Sequence, residues 1–222
     1  MNFEYDEIDL LLRSLIIFEE EYISLIYSWE TYKRIFENHK IINSGLTSPA
    51  IRFSLSVISS ALIKESWSNI IRIWDKKTKC QNNMSLHKAH EVIKTLTHTE
   101  NSNLSRVDFK EIKGCINQMV IKQNNIKDRI QNIRNDHLSH KNLGSLDKIK
   151  AYPPGTRFDQ LFIDHTLIEF DNFYKETGEI ISLFYKILDR NVNQPNRDHA
   201  IRVCQEGADE LIEKILYEQK KG

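Results

Sequence analysis

Nine apolar side chains, Ile8, Leu11, Leu15, Phe18, Tyr22, Leu25, Trp29, Tyr32 and Phe36, follow one another at alternating three- and four-residue spacing with no glycine or proline among them. That alternation is the period of one face of an α-helix. The stretch therefore predicts a helix about eight turns long, with a stripe that other helices must cover. The rest of the chain is as sparsely punctuated. It has only seven glycines and four prolines in 222 residues, the prolines and most of the glycines falling at or between the ends of further segments of helical period, with no strand alternation and no internal repeat. The expected fold is all-α: a single helical bundle of about six helices, one domain over residues 1–222, with its core at about 6–190 and a C-terminal helix at about 198–220.

Local signals place the other helices. Ser48-Pro49 supplies an N-cap and a first-turn proline for a second helix through roughly Trp74. A polar, basic loop, Lys76 to Met84, follows, and Ser85 caps a third, shorter helix, SLHKAHEVIKTL. After HTENSN a fourth helix carries Ile112, Cys115, Met119, Ile126, Ile130 and Ile133 on one face. It leads into IRNDHLSHKN, residues 133–142, before Gly144 and Pro153-Pro154 break the pattern. Two more helical segments, about Thr166 to Leu188 and Asp198 to Gln219, flank the turn-forming RNVNQPN.

Composition narrows the function classes. A hydrophobic content of 40% suffices for a core. No run approaches the roughly 18 apolar residues of a membrane span, and the acidic start MNFEYDEIDL lacks the features of a signal peptide. A cytoplasmic location with no membrane partner is expected. Cys80, Cys115 and Cys204 are odd in number and widely spaced, which argues against a disulfide framework or a structural zinc site and for reduced packing residues. The net charge is zero but unevenly spread: residues 1–39 carry nine acids against three bases, and residues 122–150 seven bases against three acids.

The locally positive segment holds Arg134, Asn135, Asp136, His137, His140 and Lys141. On a regular helix Ile126, Ile130, Ile133 and His137 share a face, while Arg134 and His140 lie about 120° apart around it and about 9 Å apart along the axis. One continuous helix cannot close both onto a small atom, but two copies packed around these stripes can bring both pairs into one cleft. Arg134-Asn135, four residues, then His140 resembles the R-x4-6-H motif of the HEPN superfamily of helical ribonucleases. The earlier RIWDKKTKCQNNMSLHKAHEVIKTL, in which a helix closes on an aromatic-Asp pair before a polar loop, is similar to the AbiU-type abortive-infection branch.

The resemblance implies metal-independent RNA cleavage at a site shared across a homodimer, with Arg134, Asn135 and His140 catalytic and Asp75, Asp136, His137 and Lys141 as substrate-binding or supporting residues. No metal or cofactor is expected. RNA is the expected substrate, a homodimer the expected assembly, and an antitoxin or regulator is not identifiable from sequence. Residue chemistry agrees. Histidines titrating near neutrality can deprotonate a ribose 2′-hydroxyl and protonate the leaving 5′-oxygen, and an arginine fork can hold the phosphate. HEPN toxins paired with nucleotidyltransferase antitoxins commonly carry a tyrosine two residues after the histidine. Here Lys141 and Asn142 follow, so control through such a tyrosine is not implied.

Plainer readings compete at several positions. Asn135 can cap a helix end as readily as orient His140. Arg and His near a helix C-terminus complement its dipole. Asp136, His137 and His140 make a poor metal set, and His137 fits as a semi-buried extension of the isoleucine stripe. His87 and His90 read as surface residues of an amphipathic helix, Tyr22, Trp29 and Tyr32 as core rather than base-stacking groups, and Lys76, Lys77 and Lys79 as a solvated loop. Two alternatives stand beside the ribonuclease: a catalytically inactive RNA-binding or regulatory module of the same fold, and a structural dimerisation protein. A binding module needs positive charge but no group titrating at neutrality, so Arg134 together with His140 favours the enzyme.

Overall fold

The structure, a computed structural model, describes residues 7–43, 48–75, 85–96, 106–133, 165–187 and 196–219. Among the described residues there are helices and no strand: α1 (Glu7–Glu37), α2 (His39–Asn43), α3 (Pro49–Trp74), α4 (Leu86–Leu96), α5 (Arg106–Ile133), α6 (Leu167–Ile187) and α7 (Arg197–Gln219). Six are long, as the periodicity predicted, and α2 is a single added turn. The chain is all-α. Among the described residues no helix is long and apolar enough to cross a membrane.

Side-chain caps set the helix starts. Ser48 Oγ accepts from Ile51 N at 3.4 Å, and Pro49 takes the first helical position, where a missing N–H costs nothing. Ser85 Oγ accepts from Lys88 N at 3.4 Å at the head of α4, and Asn196 Oδ1 from His199 N at 2.9 Å at the head of α7. Thr166 and Glu169 form a reciprocal capping box on α6: Glu169 N donates to Thr166 Oγ1 at 3.1 Å and Thr166 N to Glu169 Oε2 at 2.7 Å.

The helices group into two units, whose boundaries fall inside α1 and α3. The first (Met1–Tyr22 and Ile70–Asn193) contains the start of α1, the end of α3, and α4, α5 and α6. Leu11, Leu15 and Phe18 of α1, Ile70 and Trp74 of α3, Ile93 of α4, Ile116 and Ile130 of α5, and Phe170, Phe173 and Phe184 of α6 are all buried there. The α5 and α6 helices pack along one another, and α4 packs on α5. Tyr22 stacks on Tyr174 with ring centroids 5.4 Å apart and donates to the Tyr174 carbonyl at 3.2 Å. This contact explains the glycine in mid-helix at position 178, because a Cβ there would lie 2.2 Å from the Tyr22 hydroxyl oxygen.

The second unit (Ile23–Asn69 and Gln194–Gly222) contains the rest of α1 and α3, with α2 and α7. Ile35, Ile42 and Leu55 form a buried cluster with Ile51, Leu62 and Ile215 packed against it. Small polar side chains join α1 to α3: Ser66 Oγ donates to Ser28 Oγ at 3.0 Å, and Asn69 Nδ2 to Ser24 Oγ at 3.0 Å. Arg34 holds Asp209 of α7 in a two-point fork, Nε to Oδ1 at 2.6 Å and Nη2 to Oδ2 at 2.8 Å. This fork pushes the Arg34 pKa up and the Asp209 pKa down.

Three expectations are corrected. Phe36, the last member of the α1 stripe, is 42% exposed, while Tyr22, Trp29 and Tyr32 are core as expected. The inward face of α5 is only in part the one expected: Ile126 and Ile130 are buried, but Cys115 is exposed and Met119 half-buried, and the buried face that ends at Ile130 runs through Ile116, Val120, Gln123 and Lys127. That set keeps an unbroken four-three spacing but contains a glutamine and a lysine, so a polar/apolar reading passes over it. His90 is buried rather than on the surface, and His87 packs edge-on against Trp74 at 5.8 Å.

Candidate functional site

Two elements of the first unit lead to the predicted site residues. The first is the end of α3. Trp74, 1% exposed, donates from Nε1 to Thr177 Oγ1 at 3.0 Å, and Thr177 in turn donates to the Phe173 carbonyl at 2.7 Å. The indole also lies against Phe173 at 5.4 Å. A buried indole needs a partner for its N–H, and Thr177 on α6 supplies it. Asp75 follows directly on this anchored tryptophan, half-buried and just beyond the last residue of α3.

The second element is α5, whose last residue, Ile133, immediately precedes Arg134 in the chain. Its final turns are tied down on both sides. Ile130 and Ile126 are buried within the chain itself, so these two members of the stripe are taken up by intramolecular packing, while the side chains of Ile133 and His137 lie outside the described residues. Arg129 Nη2 pairs with Glu169 Oε1 at 2.8 Å, linking the end of α5 to the capping box of α6. Arg129 and Thr166 together hold the Glu169 carboxyl far below its ordinary 4.5, at about 2, the arginine hydrogen bond being the larger cause. Beside this box His165 is buried with its ring 5.2 Å from Phe170.

Arg134, Asn135, Asp136, His137, His140 and Lys141 lie outside the described residues, as do Lys76, Lys77, Lys79 and Cys80. Of the predicted site residues the structure places Asp75 alone. Three residues near these elements escaped the sequence reading. Lys127, 1% exposed, carries its ammonium 3.1 Å from Asp128 Oδ1 and 3.2 Å from Asn124 Oδ1. Arg129 and Glu169 are the others, and the T-x-x-E spacing of Thr166 and Glu169 was the available signal for the second.

The depressed Glu169 pKa gives a signed prediction. A carboxylate whose folded pKa lies below its unfolded value contributes stability that is present above the ordinary carboxylate range and is lost as pH falls. The difference in urea midpoint between wild type and Glu169→Gln is therefore expected to be constant at pH 6 and above. It should shrink as pH drops from about 4.5 toward 2. A difference that grows on acidification would contradict the Arg129–Glu169 assignment.

A model of the AbiU2 family of HEPN proteins matches residues 8–205. The matched span includes Asp75, all of α5 and the Arg134–His140 segment. No curated protein and no solved structure matches the chain. With most of its length matched, including the helix that leads into the arginine–histidine motif, the chain belongs to the AbiU2 family of HEPN-type abortive-infection proteins.

Proposed function

We propose that this protein is a metal-independent endoribonuclease whose site is built from Arg134 and His140 of two copies of the chain. The observation that carries the reading is that the family match spans an intact arginine–histidine motif placed directly after α5. In the proposed reaction one His140 accepts the proton of a ribose 2′-hydroxyl as that oxygen attacks phosphorus. The bond from phosphorus to the 5′-oxygen breaks, and the partner's His140 donates a proton to the leaving oxygen. The products are a 2′,3′-cyclic phosphate and a 5′-hydroxyl, with no water consumed and no metal needed to balance the step. Arg134 stabilises the charge that builds on the phosphoryl oxygens. Asn135 orients His140 or the substrate, and Asp136, His137, Lys141 and Asp75 support the site.

The test is incubation of purified protein with total tRNA and a mixed RNA, with and without a chelator, followed by end-group analysis. Cleavage that survives the chelator and leaves cyclic phosphates is expected. Chelator-sensitive cleavage, or none on any RNA, would overturn the reading. Because two histidines exchange acid and base roles, the rate is expected to be bell-shaped in pH, with both limbs within about two units of the ordinary histidine pKa of roughly 6.5. A profile flat from about pH 5 to 9 would remove histidine from the chemistry.

A further inference from the structure

The arginine–histidine motif lies in the stretch of chain between Ile133, the last residue of α5, and His165, which precedes α6. An ion pair joins the two helices where that stretch leaves and returns. Arg129 is four residues before Ile133 and Glu169 four residues after His165, and they meet at 2.8 Å from Nη2 to Oε1. The same carboxylate accepts from Thr166 N through Oε2 at 2.7 Å, so one side chain holds both the end of α5 and the head of α6. A second tie between these helices, Lys122 to Glu176, is set seven residues further back on each.

The last turn of an α-helix ends in carbonyls with no intrahelical donor, and it is the part that opens most easily. In α5 that turn contains no basic side chain, and of its described side chains Ile130 alone is buried. Arg129, at the start of that turn, ties it across to α6. Glu169, in the first turn of α6, places its negative charge where that helix's dipole favours it. The pair also stays charged throughout the range in which histidines titrate, because Arg129 and then Thr166 hold the Glu169 carboxyl at about 2.

We propose that Arg129 and Glu169 are positioning residues for the proposed reaction: by fixing the last turn of α5 against α6, they fix the point from which Arg134 departs. The inference rests on the ribonuclease reading above, and neither residue touches substrate in it. Arg134 follows Ile133 directly, so a displacement of that turn is passed on to it. At reacting groups a displacement on the order of 1 Å costs about a hundredfold in rate. Global stability depends much less on the pair, because its side chains are 28% and 43% exposed while Ile126, Ile130, Phe170 and Phe173 form the buried packing around it.

Amide hydrogen exchange and RNA cleavage, both on the full chain, test this for wild type, Arg129→Met, Arg129→Lys and, as a control, Lys122→Met, which removes the tie seven residues back. Methionine matches arginine in helix propensity and removes the charge. In Arg129→Met the amides of residues 130–133 are expected to exchange at least about tenfold faster, with the rest of α5 unchanged. Its kcat is expected to fall at least about tenfold with KM within about twofold of wild type, since the groups that bind RNA remain and only their placement is lost. Arg129→Lys keeps a cation for the Glu169 carboxylate and is expected to recover most of both effects, and Lys122→Met is expected to match wild type in exchange at residues 130–133 and in kcat. Exchange at residues 130–133 as slow in Arg129→Met as in wild type would overturn the proposal. Faster exchange with kcat unchanged would overturn the positioning role and leave the ribonuclease reading standing. Equal losses in Lys122→Met and Arg129→Met would also overturn it, assigning the effect to the packing of α5 on α6 as a whole. A wild type that cuts no RNA overturns the ribonuclease reading and the positioning role with it, while the exchange rates still decide whether the pair holds the helix end.

Discussion

Alanine at His140 is expected to lower RNA cleavage by at least about a hundredfold, the lower end of what a positioned acid or base contributes. In the proposed reaction both roles would fall together, because His140 of one copy is the base and His140 of the other the acid. Lysine at Arg134 is expected to be strongly impaired as well. A lysine ammonium keeps the charge but cannot hold two phosphoryl oxygens at once, so the conservative change tests geometry rather than sign. Helical content and melting temperature should stay near wild type in both variants, since a side chain serving a substrate cleft supports little packing. A large loss of stability in His140→Ala would assign that histidine to structure, and undiminished cleavage would remove it from the chemistry. Growth inhibition on expression, if the wild type causes it, is expected to disappear in parallel with cleavage.

What the sequence made legible depended on how local each signal was. Ser48-Pro49 and Ser85 start α3 and α4 because capping is a matter of one side chain and the next three residues. The α1 stripe was legible from Leu11 to Tyr32 because its period is regular, and among its described side chains it failed only at Phe36, one residue before the helix ends. The α5 face failed for a different reason. Its true inward positions include Gln123, which pairs with Glu176, and Lys127, whose ammonium lies beside Asp128 and Asn124, so the packing is satisfied by partners that a hydrophobicity pattern cannot see. His90 is buried for a tertiary reason of the same kind. The arginine–histidine motif was legible as a string and the family match contains it, whereas Arg129 and Glu169 became visible only once α5 and α6 were side by side. Ile126 and Ile130 show the opposite error: an apolar stripe announces that it will be covered, but not whether by the chain itself or by a partner.

Alanine at Gly178 is expected to destabilise the protein by about 2 kcal/mol, and this should depend on one side chain. The new Cβ would sit 2.2 Å from the Tyr22 hydroxyl oxygen and 2.5 Å from Cζ, closer than any real contact, so the ring has to move. It has little freedom to do so, being 5% exposed, stacked on Tyr174 and held by its bond to the Tyr174 carbonyl. Overpacking of this kind costs about 1–3 kcal/mol. The better helix propensity of alanine returns up to about 1 kcal/mol, and the lost hydrogen bond adds about 1 kcal/mol. At this chain length the net change corresponds to a melting point lower by about 4–8 °C. Tyr22→Leu is itself expected to be destabilising, since it removes a buried ring. In that background, however, the added methyl group meets space, and Gly178→Ala should be neutral or mildly stabilising. Denaturant melts of wild type, both single variants and the double variant close a thermodynamic cycle, with an expected coupling of at least about 1 kcal/mol. If Gly178→Ala costs the same with and without the tyrosine, the glycine is not there to admit the Tyr22 ring, and its place in mid-helix requires another cause.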